Sequence, residues 1–415
     1  MTKNNSFNPI TFQLLLWLII VFEFYTIAGI KVTLLWKAVF LMYIILHILI
    51  SRIDTRSPVS FMGKLFAVKM LIYDFSNVKS YSLEVLYSIK ILSFVLIIEA
   101  LAFLNKKKSH FIVQISIQIS IGIIVVTIPF LLGVLDPTVD VGRNSLARFG
   151  YAELYEFIGP FGTKHNASVN LAGALLVIIA NKKEFQGYIY TLIYFFLIGI
   201  GTYALYKTFV RTGFLVLLLG MVTYFLTSGT LKSKISKIPI ISVGCFIGYM
   251  VFMNSDILRM RMLDQNIYNE SGQVGSGRMV FYAIGLNSFY NSSIPQILLG
   301  VGDGHAKEIM GKYIGHGYAS HSGFLDILRI SGVVGFIIYL IFLYVIFKTL
   351  RMNKSNPHTS LLFSLFAGYI GIMAIQGGFY FWYNTLFACY VAHSLKSIKE
   401  KKILEKSGYE YLYNK

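Results

Sequence analysis

Apolar residues along this chain are gathered into long runs that are separated by short polar connections. A helix needs roughly 20 apolar residues to cross the hydrocarbon core of a bilayer, and most of the runs reach or approach that length. The pattern therefore predicts an all-α integral membrane protein. The predicted spans are residues 10–30, 33–50, 59–75, 85–104, 111–133, 167–181, 188–205, 212–229, 238–254, 332–350, 359–377 and 379–395.

Two of these runs are weaker than the others. Residues 167–181 form a shorter run, and residues 59–75 carry Lys64, Lys69 and Asp74. The second run is compatible with a span, a re-entrant piece or an interfacial helix. Loop charge chooses among these, because Lys and Arg are enriched in cytoplasmic connections. The basic connections share one side with both termini only if 59–75 spans, so we predict twelve spans and cytoplasmic termini.

The composition agrees with a membrane protein and excludes a soluble one. Hydrophobic residues make up 56% of the chain and charged residues 13%, whereas soluble domains carry about 25% charged residues. Mean hydropathy is +0.65. The net charge of +18 comes largely from short connections between spans, which indicates the positive-inside pattern and not nucleic-acid binding.

The first run is long enough to span, so no removable signal peptide is expected. Cys245 and Cys389 lie in apolar runs and are interpreted as buried hydrophobes without a disulfide.

Polar chemistry is concentrated in one long connection, residues 255–331, which the topology places outside, within a single polytopic membrane domain of residues 1–415. Arginines should be scarce on that side, so several of them there indicate an anionic ligand, although a single boundary Arg also snorkels to headgroups. The planar guanidinium donates bidentately to phosphate, so a lipid diphosphate would fit. The outer arginines are Arg143 and Arg148 in the connection 134–166, Arg211 at the start of the eighth span, Arg259, Arg261 and Arg278 in the long connection, and Arg329 near the tenth span.

Histidines are the second class of candidate residues. His305, His316 and His321 lie in the long connection, and His165 lies in the connection 134–166. A neutral imidazole accepts a proton from a hydroxyl near neutral pH, a role worth roughly 10²–10⁴-fold in rate. A hydrogen-bonded surface histidine is the alternative, and it is favoured for His305 and His316. No Cys or H-E-x-x-H pattern supports a zinc site, so no metal and no cofactor are expected.

Several further features admit more than one interpretation. The glycines of G-V-G-D-G (300–304) lack the G-K-[ST] ending of a nucleotide site and are expected to shape a turn. Asp303 and Asp326 are both candidate partners for a histidine, and spacing does not choose between them.

Three segments outside the spans have predicted structures. Residues 279–290 predict a helix along the membrane surface, and residues 324–331 predict a helix that runs into the tenth span. The tail from Lys396 predicts either a short basic helix on anionic headgroups or a solvated tail. For the charges inside spans, mutual pairing is favoured over a functional role; these are Glu23, Lys37, Lys90 and Glu99.

Four motifs together resemble those of a known family. The pattern S-G-R-x-x-x-Y (276–282), then G-V-G-D-G (300–304), then S-H-S-G-F-L-D-I-L-R-I-S-G-V-V-G (320–335) closely resembles the C-terminal half of the bacterial O-antigen polymerase and O-antigen ligase superfamily. Upstream, V-R-T-G-F-L (210–215) is similar to the family's Ser-Arg-Thr helix start, with Val210 in place of Ser. H-N-A-S-V-N-L-A-G (165–173) resembles its Pro-Asn-x-x-A stretch, with His165 in place of Pro.

The resemblance implies a GT-C-like, metal-independent, inverting glycosyltransferase that acts on an undecaprenyl-diphosphate-linked glycan donor and acceptor. Carried over to this chain, it implies that Arg211 and Arg278 bind the diphosphate and that His321 is the base for the acceptor hydroxyl. The possible additional substrate contacts are Arg143, Arg148, His316 and Asn166.

The function that follows is polymerisation of lipid-linked repeat units into O-antigen, capsule or exopolysaccharide at the outer face of the bacterial cytoplasmic membrane. The alternative is the ligase, which transfers the glycan to lipid A–core. A lipid-glycan flippase is a third hypothesis; many transporters have internal repeats and polar sites at mid-depth, and neither is visible here. Membrane lipids, a chain-length regulator and a flippase are the expected partners, and nucleic acid is not.

Overall fold

The computed structural model describes residues 9–22, 26–27, 30–50, 57–71, 81–102, 109–136, 156–229, 250, 254, 278–314, 320–353, 356 and 358–406. This part of the chain is helical apart from one antiparallel pairing of β1 (Thr26–Ile27) with β2 (Ile30–Lys31). Its α-helices are α1 (Pro9–Val21), α2 (Val32–Ile50), α3 (Pro58–Lys69), α4 (Tyr81–Ala102), α5 (His110–Val125), α6 (Ile128–Leu131), α7 (Lys164–Ala180), α8 (Tyr188–Lys207), α9 (Arg211–Thr227), α10 (Arg278–Tyr290), α11 (Ile294–Leu299), α12 (Asp303–Ile314), α13 (Gly323–Met352), α14 (Thr359–Ile375) and α15 (Phe381–Lys406).

The helical membrane architecture predicted from hydropathy is confirmed. Within the described ranges, five helices are long and apolar enough to cross a bilayer, and shorter apolar helices include α7, α9 and α14. Residues 238–254, the predicted ninth span, lie outside the described residues except at 250 and 254. The total of twelve spans therefore stays a prediction. The five long candidates are Val32–Leu49, Val85–Ala102, His110–Leu131, Tyr188–Lys207 and Gly323–Met352.

Some predicted boundaries were wrong. The first run was expected to be helical to residue 30, but α1 ends at Val21 and is followed by the short β pairing. The run 59–75 ends as a helix at Lys69. Of the two expectations for the basic tail from Lys396, a short helix or a solvated segment, the helical one is confirmed to Lys406, and this helix is the continuation of α15. Hydropathy marks where a helix is apolar, whereas helix ends depend on hydrogen bonds and packing that it does not record.

Polar contacts gather at two opposite ends of the bundle. At one end, the Ser109 N–H donates to Glu400 (3.2 Å) and the Asn353 amide donates to Ser394 (3.3 Å). We call this the Glu400 end. At the other, which we call the Arg211 end, the backbone N–H of Tyr383 donates to Asn170 (3.0 Å). Successive helices run between these two layers, as expected for a chain that crosses a membrane repeatedly.

Helix α3, the weakest predicted span, lies antiparallel to α4 and packs against α13. Ser60 donates to Glu99, and the Lys64 ammonium lies 2.6 Å from the same carboxylate. The ring of Phe66 lies 5.1 Å from that of Tyr339 in α13. The expectation that charges inside the spans are paired holds for Glu99, which is fully buried. Its partner is Lys64, which pattern alone had not named; a buried carboxylate requires such a partner because its desolvation is costly.

Helix α13 is interrupted at Gly332, whose φ of 67° and ψ of −176° are not helical. The break releases backbone carbonyls, and the glycine-rich segment after α11 binds them. The N–H of Val301 donates to Arg329 O and the N–H of Gly302 to Ile330 O, both at 3.0 Å. A Cβ on Gly300 would lie 2.1 Å from Ile330 O. The glycines therefore shape a turn, as predicted, and that turn docks by backbone contact onto α13.

We expect Gly332→Ala to destabilise the protein by about 2–4 kcal/mol, because the new Cβ would meet a backbone oxygen in a left-handed conformation. That Cβ would lie 2.4 Å from Leu298 O. The matched control is Gly199→Ala in α8, where a Cβ meets no heavy atom within 4 Å. Melting temperatures in detergent measure the difference. Equal melting temperatures for the two variants would contradict the backbone contact.

A histidine pair lies at the Glu400 end. The rings of His358 and His393 are 5.1 Å apart, edge to face. Burial, and then the nearby His393 and His110, lower the pKa of His358 from 6.5 to about 4. The unfolded chain therefore binds more protons than the folded protein between these two pH values. Stability falls as the pH drops from 6.5 towards 4, and no such penalty exists at higher pH.

We expect His358→Gln to reduce the loss of stability between pH 7 and pH 5 by roughly 1 kcal/mol, a value that allows for solvent screening at the partly open ring. Thermal unfolding at the two pH values measures it. His305→Gln, in α12 at the Arg211 end of the bundle, is the control because it lies away from the His358–His393 pair. An unchanged pH slope in the His358 variant would show that its burial does not disfavour protonation.

Candidate functional site

His321 lies immediately before α13 in an unusual backbone conformation. Its φ of 59° falls in the left-handed region, which non-glycine residues seldom adopt. The flanking serines are hydrogen bonded around it: the Ser320 N–H donates to Asp326 Oδ1 (2.8 Å) and the Ser322 hydroxyl accepts from the N–H of Leu325 (3.4 Å). Asp326 therefore connects the first turn of α13 to the residue before His321. Such strain persists only where surrounding contacts over-determine the conformation.

Helix α10 packs directly against His321. The ring of Phe281 lies 5.0 Å from the imidazole, edge to face, and the Tyr282 hydroxyl donates to the His321 carbonyl at 3.3 Å. Gly285 allows this approach, because a Cβ there would lie 2.9 Å from the Leu325 side chain. Arg278 is the first residue of α10, one turn before Phe281 and Tyr282 and on the same helix face. The side chain of Arg278 lies outside the described part of the structure.

Arg211 is the first residue of α9, next to a constrained turn. Phe209 has a φ of 51°, and the N–H of Val210 donates to the Thr208 hydroxyl at 3.3 Å. The positive end of the α9 dipole adds to the guanidinium charge, so this position favours an anion. Arg211 is half-buried. An arginine at a helix N-terminus opposes the helix dipole, which is consistent with a role outside helix stability.

Two contacts connect Arg211 to His321 across the bundle. The hydroxyl of Thr212 donates to Gln376, the residue that ends α14, at 3.3 Å. The next residue, Gly377, lies against Gly323, which begins α13: a Cβ on Gly323 would be 3.0 Å from the Gly377 Cα. Arg211 and His321 therefore lie at the same end of the bundle, on helices whose ends touch through α14.

Asn166 also lies at this end, at the start of α7. Its amide donates to the carbonyl of Phe161 at 3.3 Å, and its N–H donates to the capping hydroxyl of Thr163 at 3.2 Å. Helix α7 packs on α9 closely, since a Cβ on Gly213 would lie 2.7 Å from Ser168. Asn166 thus holds the turn before α7, beside the helix that carries Arg211.

The other predicted residues divide into two groups. Arg143, Arg148 and His316 lie outside the described residues. Arg329 was counted among arginines that indicate an anionic ligand, but it is only 3% exposed and donates to the Ala306 carbonyl at 2.8 Å. This hydrogen bond holds α12 against α13. Of the two candidate histidine partners, Asp303 pairs with Lys307 at 2.6 Å, whereas Asp326 binds beside His321.

Three residues of this site were not predicted from the sequence, namely Phe281, Thr212 and Gln376. Tyr282 closes the S-G-R-x-x-x-Y pattern, so the pattern pointed to it without giving its role. Thr212 follows Arg211 directly. Gln376 is distant in sequence from every other site residue, and no local pattern distinguishes it. Among the described residues, no group of three or more His, Cys, Asp or Glu is arranged to hold a metal ion.

An apolar groove runs along α14 and ends beside Arg211. We call it the α14 groove; in the described part of the structure it has an empty volume of about 940 Å³. Its last residue is Ile375, which precedes Gln376, the partner of Thr212. Its walls come from α9, α13 and α14 and include Leu215, Leu219, Phe347, Phe366 and Ile370.

Residues 193–340 match the family model described as O-antigen ligase. The match runs from α8 into α13 and contains Arg211, Arg278 and His321, so the resemblance deduced from the motifs is confirmed. Asn166 lies before the matched segment. No curated protein matches the chain.

We expect Asp326→Ala to expose the Ser320 amide to solvent, because its hydrogen-bond acceptor is removed. A lost hydrogen bond of about 1–3 kcal/mol corresponds to amide exchange about 5- to 150-fold faster. Hydrogen exchange of the peptide containing Ser320, followed by mass spectrometry, measures this. Asp326→Asn keeps an acceptor oxygen and should restore protection, and Asp303→Ala is the control. Unchanged exchange in Asp326→Ala would show that this carboxylate does not hold the His321 segment.

Proposed function

We propose that this protein is a glycosyltransferase that polymerises undecaprenyl-diphosphate-linked oligosaccharide repeat units into O-antigen, capsule or exopolysaccharide. The observation that carries the proposal is that Arg211 and His321 lie at the same end of the bundle, on helices joined by the Thr212–Gln376 and Gly377–Gly323 contacts. The match of residues 193–340 to the family model described as O-antigen ligase supports it. Both kinds of enzyme in that superfamily act on lipid-linked glycans.

The donor lipid is assigned to the α14 groove. Its polyprenyl chain lies against the apolar walls, and its diphosphate emerges at Arg211, where the groove ends. Arg278 approaches from α10 and is the second diphosphate ligand. Guanidinium groups suit this role because they remain charged and donate two parallel hydrogen bonds to phosphate oxygens. They also neutralise the charge that develops on the leaving group.

His321 acts as general base in this mechanism. It accepts the proton of the acceptor hydroxyl, and that oxygen forms a bond to the anomeric carbon of the donor sugar. The bond between that carbon and the diphosphate oxygen breaks, and the electron pair leaves with undecaprenyl diphosphate. Attack from the face opposite the leaving group inverts the anomeric configuration. The left-handed backbone at His321, fixed by Tyr282 and Asp326, presets the imidazole position, which lowers the entropic cost of reaction.

The proposed topology puts this chemistry at the outer face of the bacterial cytoplasmic membrane. Twelve spans with both termini cytoplasmic bring the Arg211 end, and the connection 255–331, to the outside. The Glu400 end then faces the cytoplasm, in agreement with the basic residues of the tail. A flippase that supplies the substrates and a chain-length regulator are the proposed protein partners.

The second candidate is an O-antigen ligase that transfers the glycan to lipid A–core. The description of the matching family favours it. Both enzymes use the same donor, so Arg211, Arg278 and His321 do not separate them. The acceptor does.

We expect His321→Ala and Arg278→Ala each to abolish polymer formation while the protein still accumulates in the membrane. Removing a general base costs about 10²–10⁴-fold in rate. Arg278→Lys should restore little, because an ammonium replaces a bidentate fork. Chain-length ladders from membranes measure the product. The controls are His110→Ala and Arg351→Ala at the Glu400 end, and normal ladders from the His321 or Arg278 variants would refute these roles.

Reconstitution of the full-length protein with lipid-linked repeat units alone decides between the two candidates. A polymerase makes a ladder without lipid A–core. A ligase makes product only when lipid A–core is added, and that result would replace the polymerase proposal.

A further inference from the structure

Helices α10 and α11 lie in the long polar connection, yet they carry almost no charge. Residues 279–302 contain no Asp, Glu, Lys, Arg or His. Helix α12 follows directly and carries Asp303, Lys307, Glu308 and Lys312. A helix that faces water normally has charged or polar residues on its exposed side. This contrast indicates that α10 and α11 face different surroundings from α12.

The exposed side of α10 and α11 presents large apolar side chains. Tyr290 in α10 and Ile294 in α11 are 74% and 75% exposed, and Leu286 and Leu298 are also exposed. Within each helix the two residues are four positions apart, so they share one helix face. We call these four residues the α10–α11 face. Several large apolar side chains exposed together mark a surface that contacts lipid or another protein.

The opposite side of this segment carries polar side chains and faces the protein. Ser288, Ser292 and Gln296 border a small cavity that Arg329 of α13 also lines. The Ser288 hydroxyl donates to Gly285 O at 2.8 Å, and the Ser292 hydroxyl donates to Ser288 O at 2.7 Å. Both hydroxyls are paired without water, as serine hydroxyls are in membrane helices. The polarity of the segment is therefore inverted relative to a helix that lies in water.

The position of α11 brings this face to the edge of the lipid-facing surface of α13. The last turn of α11 contacts the break in α13, since a Cβ on Gly332 would lie 2.4 Å from Leu298 O. Immediately after Gly332, in the predicted tenth span, α13 exposes an apolar stripe that includes Val334, Ile337 and Ile341. Helix α11 therefore ends at the depth where the lipid-exposed part of α13 begins.

Helix α12 packs beside α10 and has the opposite character. Its Lys312 side chain is largely exposed and lies 3.8 Å from Glu308, while Lys307 pairs with Asp303 at 2.6 Å. Charged side chains remain at surfaces that water can reach, because their burial is costly. The same connection thus presents one charged surface and one apolar surface, and only the charged one is suited to the aqueous phase.

We infer that the α10–α11 face is a membrane-binding surface, which contacts the lipids of the leaflet at the Arg211 end of the bundle. Leu286, Ile294 and Leu298 contact the acyl chains, and Tyr290 reaches the headgroup layer, where tyrosines are enriched. Burial of apolar area drives this contact, as it does for helices that lie in the membrane interface. The contact keeps the start of α10, and thus Arg278, near the headgroups. The inference does not depend on the proposed reaction.

Spin labels on the full-length protein in phosphatidylcholine nanodiscs test this contact. The labels are attached to Tyr290→Cys and Ile294→Cys, each in a background in which both native cysteines are replaced by alanine. Power saturation compares collisions with O₂, which concentrates in lipid, and collisions with a water-soluble nickel chelate. Both labels should collide more with O₂ than with the chelate. Ile337→Cys, in the apolar stripe of α13, gives the reference for lipid contact, and Lys312→Cys, in α12, gives the reference for water.

Collision ratios at Tyr290 and Ile294 that match Lys312→Cys would overturn the inference, because the face would then lie in water and be open to a protein partner. A second measurement avoids the label. Ile294→Glu should lower the melting temperature in nanodiscs more than Ile294→Gln, since only the carboxylate resists contact with acyl chains. Equal shifts in the two variants, which have side chains of the same size, would also overturn it. Gel filtration of each variant confirms folding.

Discussion

Backbone hydrogen bonding at the interrupted helix α13 is the constraint on which the site depends. A helix break in a membrane protein leaves carbonyls that need new donors, because lipid offers none. Val301 and Gly302 supply those donors, and Lys69 donates to the carbonyl of Leu299 at 2.7 Å. The segment between α11 and α12 is thereby fixed on α13. Arg329 adds a second attachment, since it reaches from α13 to the carbonyl of Ala306.

Close backbone approaches arrange the helices that carry the candidate residues. Gly323 and Gly377 bring the start of α13 against the end of α14, and Gly213 brings α9 against α7. Small residues have this effect in membrane bundles because helices can then pack by van der Waals contact and local hydrogen bonds. Each of these contacts is made at the Arg211 end, so they fix the positions of the helices that carry Arg211 and His321.

Two cavities lie on either side of the α13–α14 pair. The α13–α14 pair separates an apolar groove that ends at Arg211 from an aromatic cavity that holds Lys90 and Asn384. His321 lies at the start of α13, held by Tyr282 and Asp326. In the proposed mechanism, rigid placement of this imidazole matters because proton transfer depends on sub-ångström geometry.

The sequence by itself determined the membrane class and most of the helices, and it named Arg211, Arg278 and His321 as candidates, because hydropathy and short motifs are local properties. It did not determine that α1 ends at Val21 or that the tail continues α15. Only the tertiary structure showed that Glu99 pairs with Lys64 and that Thr212 donates to Gln376. It also showed that Arg329 binds the carbonyl of Ala306, so that Arg329 is no longer a candidate anion ligand. These outcomes depend on contacts between residues far apart in the chain, and a pattern of neighbouring residues carries no record of them.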